Sequence, residues 1–434
     1  MPSLYPTARD PMLSLLQSAA AAVARKRTAI AGRDGPAAHP LTAAAAQLVA
    51  ARGTLTNGVA VPVEKSATTC VGLGLELLEA MVSGDAARQL ALQDRIRFSL
   101  CDPLWAETLI DYARNLQADG TPRPVPYVRY TALGDFVLPA PRAETRVALV
   151  SDWGTGTAEA RAVASLLARQ QPDVVIHLGD IYYAGTAEEC DAHFLAPLRA
   201  VLPDARLFTL CGNHDVYSGG EGYYGLLRQI GQPASYFCLR SPDRSWQILA
   251  ADTGRHDANP IDEAVALTSL DSAEELWHAD KLRGFPGRTV FLSHHQPFSA
   301  FLPIGKKSQQ DPVNPNLMAS YGRLASAGRI DAWFWGHEHS LRLYAPYRGI
   351  AAGRNIGYGA IPVAVAPEEV TPMPGLLDPP TLAADIRLDV VNGVFTHGFT
   401  LLDFQPGQIE ASYWALTQPD APIYREMFDT QYAA

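Results

Sequence analysis

The sequence predicts an α/β protein of the mixed α+β kind: a two-sheet β-sandwich flanked by helices, with an N-terminal helical module ahead of it. Three observations predict it. From Thr145 onward, short β-branched runs alternate with helical stretches, the texture of an α/β sheet. Near the C-terminus, Phe399–Phe404 and Ile409–Trp414 flank a Pro406-Gly407 turn, which reads as a β-hairpin. The residues up to Pro126, by contrast, show no strand-like alternation.

The elements follow in order. Leu13, Leu16, Ala20 and Val23 recur at helical spacing, as do Leu75, Leu78 and Val82 before a stop at Gly84. Asp102-Pro103 is a helix start, an N-cap acceptor before proline, and Trp105, Leu109, Tyr112 and Leu116 then mark one face. The run Asp119–Pro126 is rich in helix breakers and sets the boundary, giving a helical module over 1–126 and a second domain over 127–434. Tyr127–Leu138 offers an edge strand. Strands are then expected at Arg146–Val150, Val174–Leu178, Leu207–Leu210, Ile248–Ala251, Thr289–Leu292 and Ala332–Trp335. Between the first two, Ala160, Val163, Leu166 and Leu167 supply an amphipathic helix.

Composition narrows the function classes. At 434 residues the chain exceeds one typical domain, and 47% hydrophobic with 18% charged residues is the balance of a globular protein with an ample core. A net charge of -10 argues against a broad nucleic-acid surface, which would need excess Lys and Arg. The five cysteines are scattered, with no CxxC pair, and read as reduced thiols. Asp10 and Pro11 interrupt any secretory signal, and no apolar run is long enough to span a membrane. The reading is a cytoplasmic protein.

Five short blocks place metal-binding side chains where strands should run out. They are Ser151-Asp152-Trp153-Gly154, Gly179-Asp180-Ile181-Tyr182-Tyr183, Gly212-Asn213-His214-Asp215, Ser293-His294-His295 and Gly336-His337-Glu338-His339. Any one alone reads as a turn; five in register on one α/β framework are hard to obtain by accident. Asp152, Asp180, Tyr183, Asn213, His294, His337 and His339 can together hold two metal ions, and two adjacent ions in an open site cleave phosphoesters. Asp180 is the natural bridge, one carboxylate oxygen for each ion. Asn213 binds through a neutral carbonyl. His337 and His339 are two apart, and a tight turn at Gly336 would let each reach a different ion. Imidazole with carboxylate suits zinc, manganese, iron and similar metals. A phenol titrates near pH ~10, so Tyr183 as a ligand favours a trivalent ion such as iron. Tyr182 beside it is the competing inward residue. Trp153-Gly154 leaves no histidine two residues after Asp152, a coordination gap that a tyrosine would fill.

In this order the blocks resemble the calcineurin-like metallophosphoesterases, and Asp152-Trp153-Gly154 with Asp180-Ile181-Tyr182-Tyr183 looks most like the purple acid phosphatase branch. The resemblance covers Thr145 to Trp414. It implies Asp152, Tyr183 and His339 on the first metal, Asn213, His294 and His337 on the second, and Asp180 between them. It implies iron paired with zinc, manganese or a second iron, and attack on phosphorus by a metal-bound hydroxide. His214 then faces the substrate to protonate the leaving oxygen, and Asp215 orients it. His295 competes with His294; His294 stands directly after the strand. Purple acid phosphatases are commonly secreted, and this chain shows no export signal.

The expected activity is phosphomonoester hydrolysis on a small phosphorylated substrate. A phosphodiesterase acting on cyclic nucleotides or glycerophosphodiesters is the enzymatic alternative. A metal-free scaffold docking partners through the helical module is the non-enzymatic one. That module could form a dimer face, cover the site or bind a regulator. His177 reads as a core histidine; His193, His278 and His397 have no ligand-like context. Lys306-Lys307 could greet an anion, and Thr371–Pro380 could be a lid or a connection.

Overall fold

The computed structural model describes residues 121–428 apart from 261–266, 303, 306–309, 366, 385 and 406, with a few isolated positions before residue 118. The two helices expected before residue 84, and Lys306-Lys307, lie outside the described residues; of the helix expected from Asp102, the described positions Thr108, Asp111, Tyr112, Arg114 and Asn115 are helical. Both main sheets and the candidate site belong to one compact unit, Gln117–Ile361 with Val365–Ala434.

Among the described residues, fifteen strands run in chain order: β1 Val137–Pro139, β2 Arg146–Val150, β3 Val174–His177, β4 Arg206–Thr209, β5 Phe237–Arg240, β6 Trp246–Ala250, β7 Arg288–Leu292, β8 Ala332–Trp335, β9 Leu341–Tyr344, β10 Gly353–Ile356, β11 Val390–Val391, β12 Val394–Phe395, β13 Gly398–Gln405, β14 Gln408–Ala415 and β15 Tyr424–Phe428. Seven form a sheet in the order β1-β5-β6-β7-β8-β10-β9, and six form a second in the order β15-β14-β13-β2-β3-β4. In the segment expected to give an edge strand, only β1 pairs, at the rim of the larger sheet and parallel to β5. The expected hairpin is β13-β14.

The two sheets face one another because each strand alternates two apolar faces. In β2, Val147 and Leu149 point into the shared core while Ala148 and Val150 point out to the helices. In β8, Ala332 and Phe334 point in while Trp333 and Trp335 point out. Burial on both faces is why these strands read as nearly unbroken apolar runs. Two aromatic stacks stitch the layers, Phe208 on Phe237 at 4.9 Å and Trp246 on Phe404 at 4.0 Å.

Helices cover the outer faces. Over the six-stranded sheet lie α1 (Ala158–Arg169), α2 and α3 (Glu221–Ile230). Thr157 caps α1 by accepting from the Ala160 N–H, and its buried residues include the predicted Ala160, Val163, Leu166 and Leu167. The middle helix α2 runs from Ala187–Glu189 through a π-helical stretch, Cys190–Leu195, into Ala196–Val201. Over the seven-stranded sheet lie α4 (Ser272–Leu282), capped by Asp271, and α5 (Pro315–Ala327), capped by Asn314 with Pro315 in its first turn. The segment Thr371–Pro380 is tied to its surroundings: Met373 N–H donates to the Ala300 carbonyl, and the Tyr347 hydroxyl donates to the Asp378 carbonyl.

Strands β2, β3 and β4 are parallel, with Val150 level with His177 and His177 with Thr209. Strands β6, β7 and β8 are parallel in the other sheet, with Ala250 level with Leu292 and Leu292 with Phe334. Their carboxyl ends are where an open α/β sheet leaves room for ligands.

Candidate metal centre

Asp152, Asp180 and Asn213 emerge just past β2, β3 and β4, and His294, His337 and His339 just past β7 and β8. The structure brings all six together. Ser151 Oγ–H and the His337 N–H donate to Asp152 Oδ2 at 2.6 and 3.0 Å, turning Oδ1 toward His339 Nε2 at 3.4 Å. Asp180 Oδ1 accepts from the His214 N–H at 3.1 Å, while Oδ2 lies 3.3 Å from His294 Nε2. The Asn213 amide nitrogen donates to the Tyr217 hydroxyl, so Oδ1 faces inward, 3.2 Å from His294 Nε2 and 3.1 Å from His337 Nδ1. His294 Nδ1–H donates to the Leu178 carbonyl at 2.9 Å, which leaves the Nε2 lone pair aimed at the cluster. Carbonyls behind metal-binding histidines fix the tautomer in this way.

The inward-facing atoms are therefore lone pairs turned on one another, an arrangement that positive charge resolves. Ligand atoms of Asp152, Asp180 and His294 all lie within 4.8 Å of each other. The donor set fits metal binding, with Asp180 close both to His294 and to the Tyr182 hydroxyl beside Asp152 and His339. Burial opposes ionisation of Asp152 and Asp180, yet His339 beside the first and His294 beside the second hold both carboxyls below the usual range. Burial alone would lower His294, but Asp180 lifts it to about 9, so with no cation bound a proton occupies Nε2, the position a cation would take. Burial, then the His294 charge, drops His337 to about 3. His339 keeps 28% side-chain exposure, so the cluster opens to solvent on its side.

Local backbone is forced to suit. Asp152, Asp180 and His337 take φ of 55°, 72° and 63°, a left-handed region uncommon for non-glycine residues and costing about 1–3 kcal/mol each. Close approach explains Gly212 and Gly336. A Cβ on Gly212 would lie 2.1 Å from Asp180 Oδ1, and one on Gly336 would lie 1.8 Å from Ser151 Oγ.

The other expected residues stand as follows. The hydroxyl among the donors is that of Tyr182, 3.3 Å from Asp152 Oδ1, 3.1 Å from Asp180 Oδ2 and 3.0 Å from His339 Nε2. Tyr183, the expected residue, meets the site through its backbone, its carbonyl accepting from His214 Nδ1–H at 2.8 Å. Asp215 does not orient His214 as expected. Its carboxylate accepts the N–H groups of Asp180, Ile181 and Gly212 at 2.9, 3.0 and 2.7 Å, so it braces the Asp180 loop, and the Tyr183 carbonyl orients His214. Burial and the Asp180 charge push Asp215 up to about 7. Of the two candidate histidines, His295 also offers a ring nitrogen within 4.8 Å of ligand atoms of His294 and His337, while it bonds Thr253 Oγ1 at 3.0 Å and Asp257 Oδ2 at 3.2 Å and its ring packs on His337. Trp153 turns away too, its indole N–H donating to the Ala160 carbonyl.

The site also has helpers that sequence does not signal. Tyr217 turns Asn213, and a tyrosine four residues on in a loop carries no sign of that. His193, without ligand-like context in the sequence, donates from Nδ1 to the Tyr182 carbonyl at 2.8 Å. His177, read as core, is fully buried against Thr209 Oγ1 at 3.1 Å.

Comparisons place these features among known proteins. Among solved structures the chain is similar to GAP50, the anchor in the inner membrane complex of Plasmodium, at 12% identity and TM-score 0.46, over 66% of this chain and 88% of that one. It is similar to the purple acid phosphatase PPD1 of yellow lupin at 15% identity and TM-score 0.42, over 67% of this chain and 54% of that one. A dimetal phosphatase from Danio rerio gives 13% identity and TM-score 0.41, over 66% of this chain and 99% of that one. No curated protein matches the chain. Among the described residues no helix is long and apolar enough to cross a membrane. Residues 145–341 match the model of the calcineurin-like phosphoesterase family, and they span every block of the donor cluster. This stretch of the chain is a calcineurin-like phosphoesterase domain.

Proposed function

We propose that the protein is a metal-dependent phosphomonoesterase with a dinuclear centre. Asp152, Tyr182 and His339 would hold the first cation, Asn213, His294 and His337 the second, with Asp180 between. The supporting observation is the convergence of lone pairs from both sheets, each turned inward by a hydrogen bond behind it. When bound, two cations supply a nucleophile from water at neutral pH and neutralise charge on phosphoryl oxygens. The chain's own part is to aim. Asp215 fixes the backbone that carries Asp180, and Ser151 fixes the Asp152 carboxylate. His214, anchored through Nδ1–H on the Tyr183 carbonyl, would use its opposite nitrogen to protonate the leaving oxygen. The Tyr182 phenol supports iron in the first position, with zinc, manganese or iron in the second. Cys190, Cys211 and Cys238 are free and buried, which supports a reducing, cytoplasmic setting.

Replacing Asp180 with Asn tests this cleanly, because Asn also tolerates the left-handed backbone and only the charge is lost. Hydrolysis of an aryl phosphate should fall more than about 100-fold with the fold kept, read by circular dichroism. Wild-type turnover in that variant would end the proposal. Rates on a monoester and a diester of one phenol should favour the monoester; the reverse order would make the enzyme a phosphodiesterase.

A further inference from the structure

We propose that His295, held by Asp257 and Thr253, is a positioning residue that sets the ring of His337 and with it the second cation. The proposal rests on the reading of Asn213, His294 and His337 as that cation's ligands. His295 follows His294 past β7 and is 4% exposed. Both of its ring nitrogens are engaged behind the cluster. Nε2 lies 3.2 Å from Asp257 Oδ2, and Nδ1 lies 3.0 Å from Thr253 Oγ1. A carboxylate can only accept, so Nε2 carries the ring proton and Nδ1 takes the Thr253 hydroxyl proton. The same Thr253 oxygen accepts the His295 N–H at 3.1 Å, so one side chain fixes both backbone and ring. Ser293 Oγ–H donates to the His295 carbonyl at 2.8 Å, and the Trp333 indole N–H donates to Ser293 Oγ at 2.9 Å.

The tethered ring stands against the cluster. Its centroid lies 4.6 Å from that of His337 at 44°, and 4.8 Å from that of His294 at 90°. The tethers are themselves built in. Thr253 and Asp257 bracket the 3₁₀ turn Gly254–His256, where the Asp257 N–H donates to the Gly254 carbonyl at 2.9 Å and Asp252 Oδ1 accepts the Arg255 N–H at 3.2 Å. Gly254 lets this turn press on the loop that carries Asn213: a Cβ there would fall 2.4 Å from the Gly212 carbonyl oxygen. The turn past β6 therefore backs Asn213 directly and His337 through the His295 ring, although the two come from opposite sheets. A metal-binding imidazole depends on groups behind it to hold its plane, and a small rotation misdirects its lone pair.

The test titrates the full chain with cobalt(II), whose visible bands report coordination geometry, and reads the affinity and bands of two binding steps. Asn213→Ala marks the second-cation step as the one it weakens. His295→Phe keeps a flat ring against His337 and loses both tethers. It should weaken that step about 10-fold and shift its bands, with the other step unchanged. Asp257→Ala should do the same, and added to His295→Phe it should cost nothing further, since both remove one interaction. Asp257→Asn keeps an acceptor for Nε2–H and should restore affinity and bands. Circular dichroism checks the fold of each variant, and if His295→Phe does not fold, the two Asp257 variants carry the test. Wild-type affinity and bands in His295→Phe or Asp257→Ala, equal losses in both steps, or no recovery in Asp257→Asn would each overturn the positioning role and leave the second-cation reading standing. If the wild-type protein takes up fewer than two cobalt ions, or Asn213→Ala binds both as the wild type does, the second-cation reading falls and this proposal with it.

Discussion

On the proposed reading, a hydroxyl among two carboxylates and an imidazole makes Tyr182 the residue on which the metal's identity would turn. Its distances to Asp152, Asp180 and His339 predict that Tyr182→Phe bleaches the iron(III) form while Tyr183→Phe stays coloured, a comparison made by visible absorption. Retention of colour in Tyr182→Phe and its loss in Tyr183→Phe would reverse the assignment. Sequence could not separate the two, because the alternation rule holds for strands and β3 has ended at His177 before either tyrosine. The carboxylates and histidines are legible for the opposite reason: each stands within a few residues of a strand end, where chain direction is still fixed. The role of Asp215 is hidden for want of geometry. Its neighbour in sequence is His214, but its partners in space are three backbone N–H groups.

At the scale of elements, the strands legible in sequence are the nearly unbroken apolar runs β2, β3, β4, β6, β7 and β8, together with the hairpin β13-β14 on either side of its Pro-Gly turn. Of those that escape it, β5, β9, β10 and β15 carry Arg, Asn or Glu within or at the end of the run, and β11 and β12 are two residues each. Two of the charges that hide them are paired. Arg354 on β10 donates to both oxygens of Glu426 on β15, at 2.7 and 2.6 Å, which links the two sheets. Arg354 is 5% exposed, and although burial works against its charge, Glu426 raises its pKa. Glu426→Ala should therefore strand a buried cation and destabilise the fold by about 3–5 kcal/mol, measured as a drop in the urea midpoint. Arg354→Met with Glu426→Leu should recover most of it, because a well-packed apolar pair replaces a buried ionic one at little loss.

For the whole molecule, pH is the natural variable. His177, His397 and His278 are buried, and burial lowers them to about 4, about 4 and about 3. The unfolded chain takes up their protons near pH ~6.5, before the native state does. Stability from these groups is thus full above about 6.5 and lost as pH falls toward the folded values, each group losing roughly 1.4 kcal/mol for every pH unit crossed. Unfolding midpoints measured from pH 7 down to 4 should fall accordingly, and His278→Gln should flatten that slope. No single strand or motif announces this behaviour in sequence; it comes from enclosure by two sheets and the helices that cover them.

Ownership of the donor atoms carries a last consequence. Asp152, Asp180 and Asn213 belong to one sheet, and His294, His337 and His339 to the other. An ion gripped by both halves works as a rivet through the sandwich. Stripping it with a chelator should lower the melting temperature reversibly; the stability lost grows with the logarithm of the free metal removed and is about 2.7 kcal/mol from a hundredfold excess over Kd. Cleaving a phosphate and keeping the layers fastened would then depend on the same few bonds.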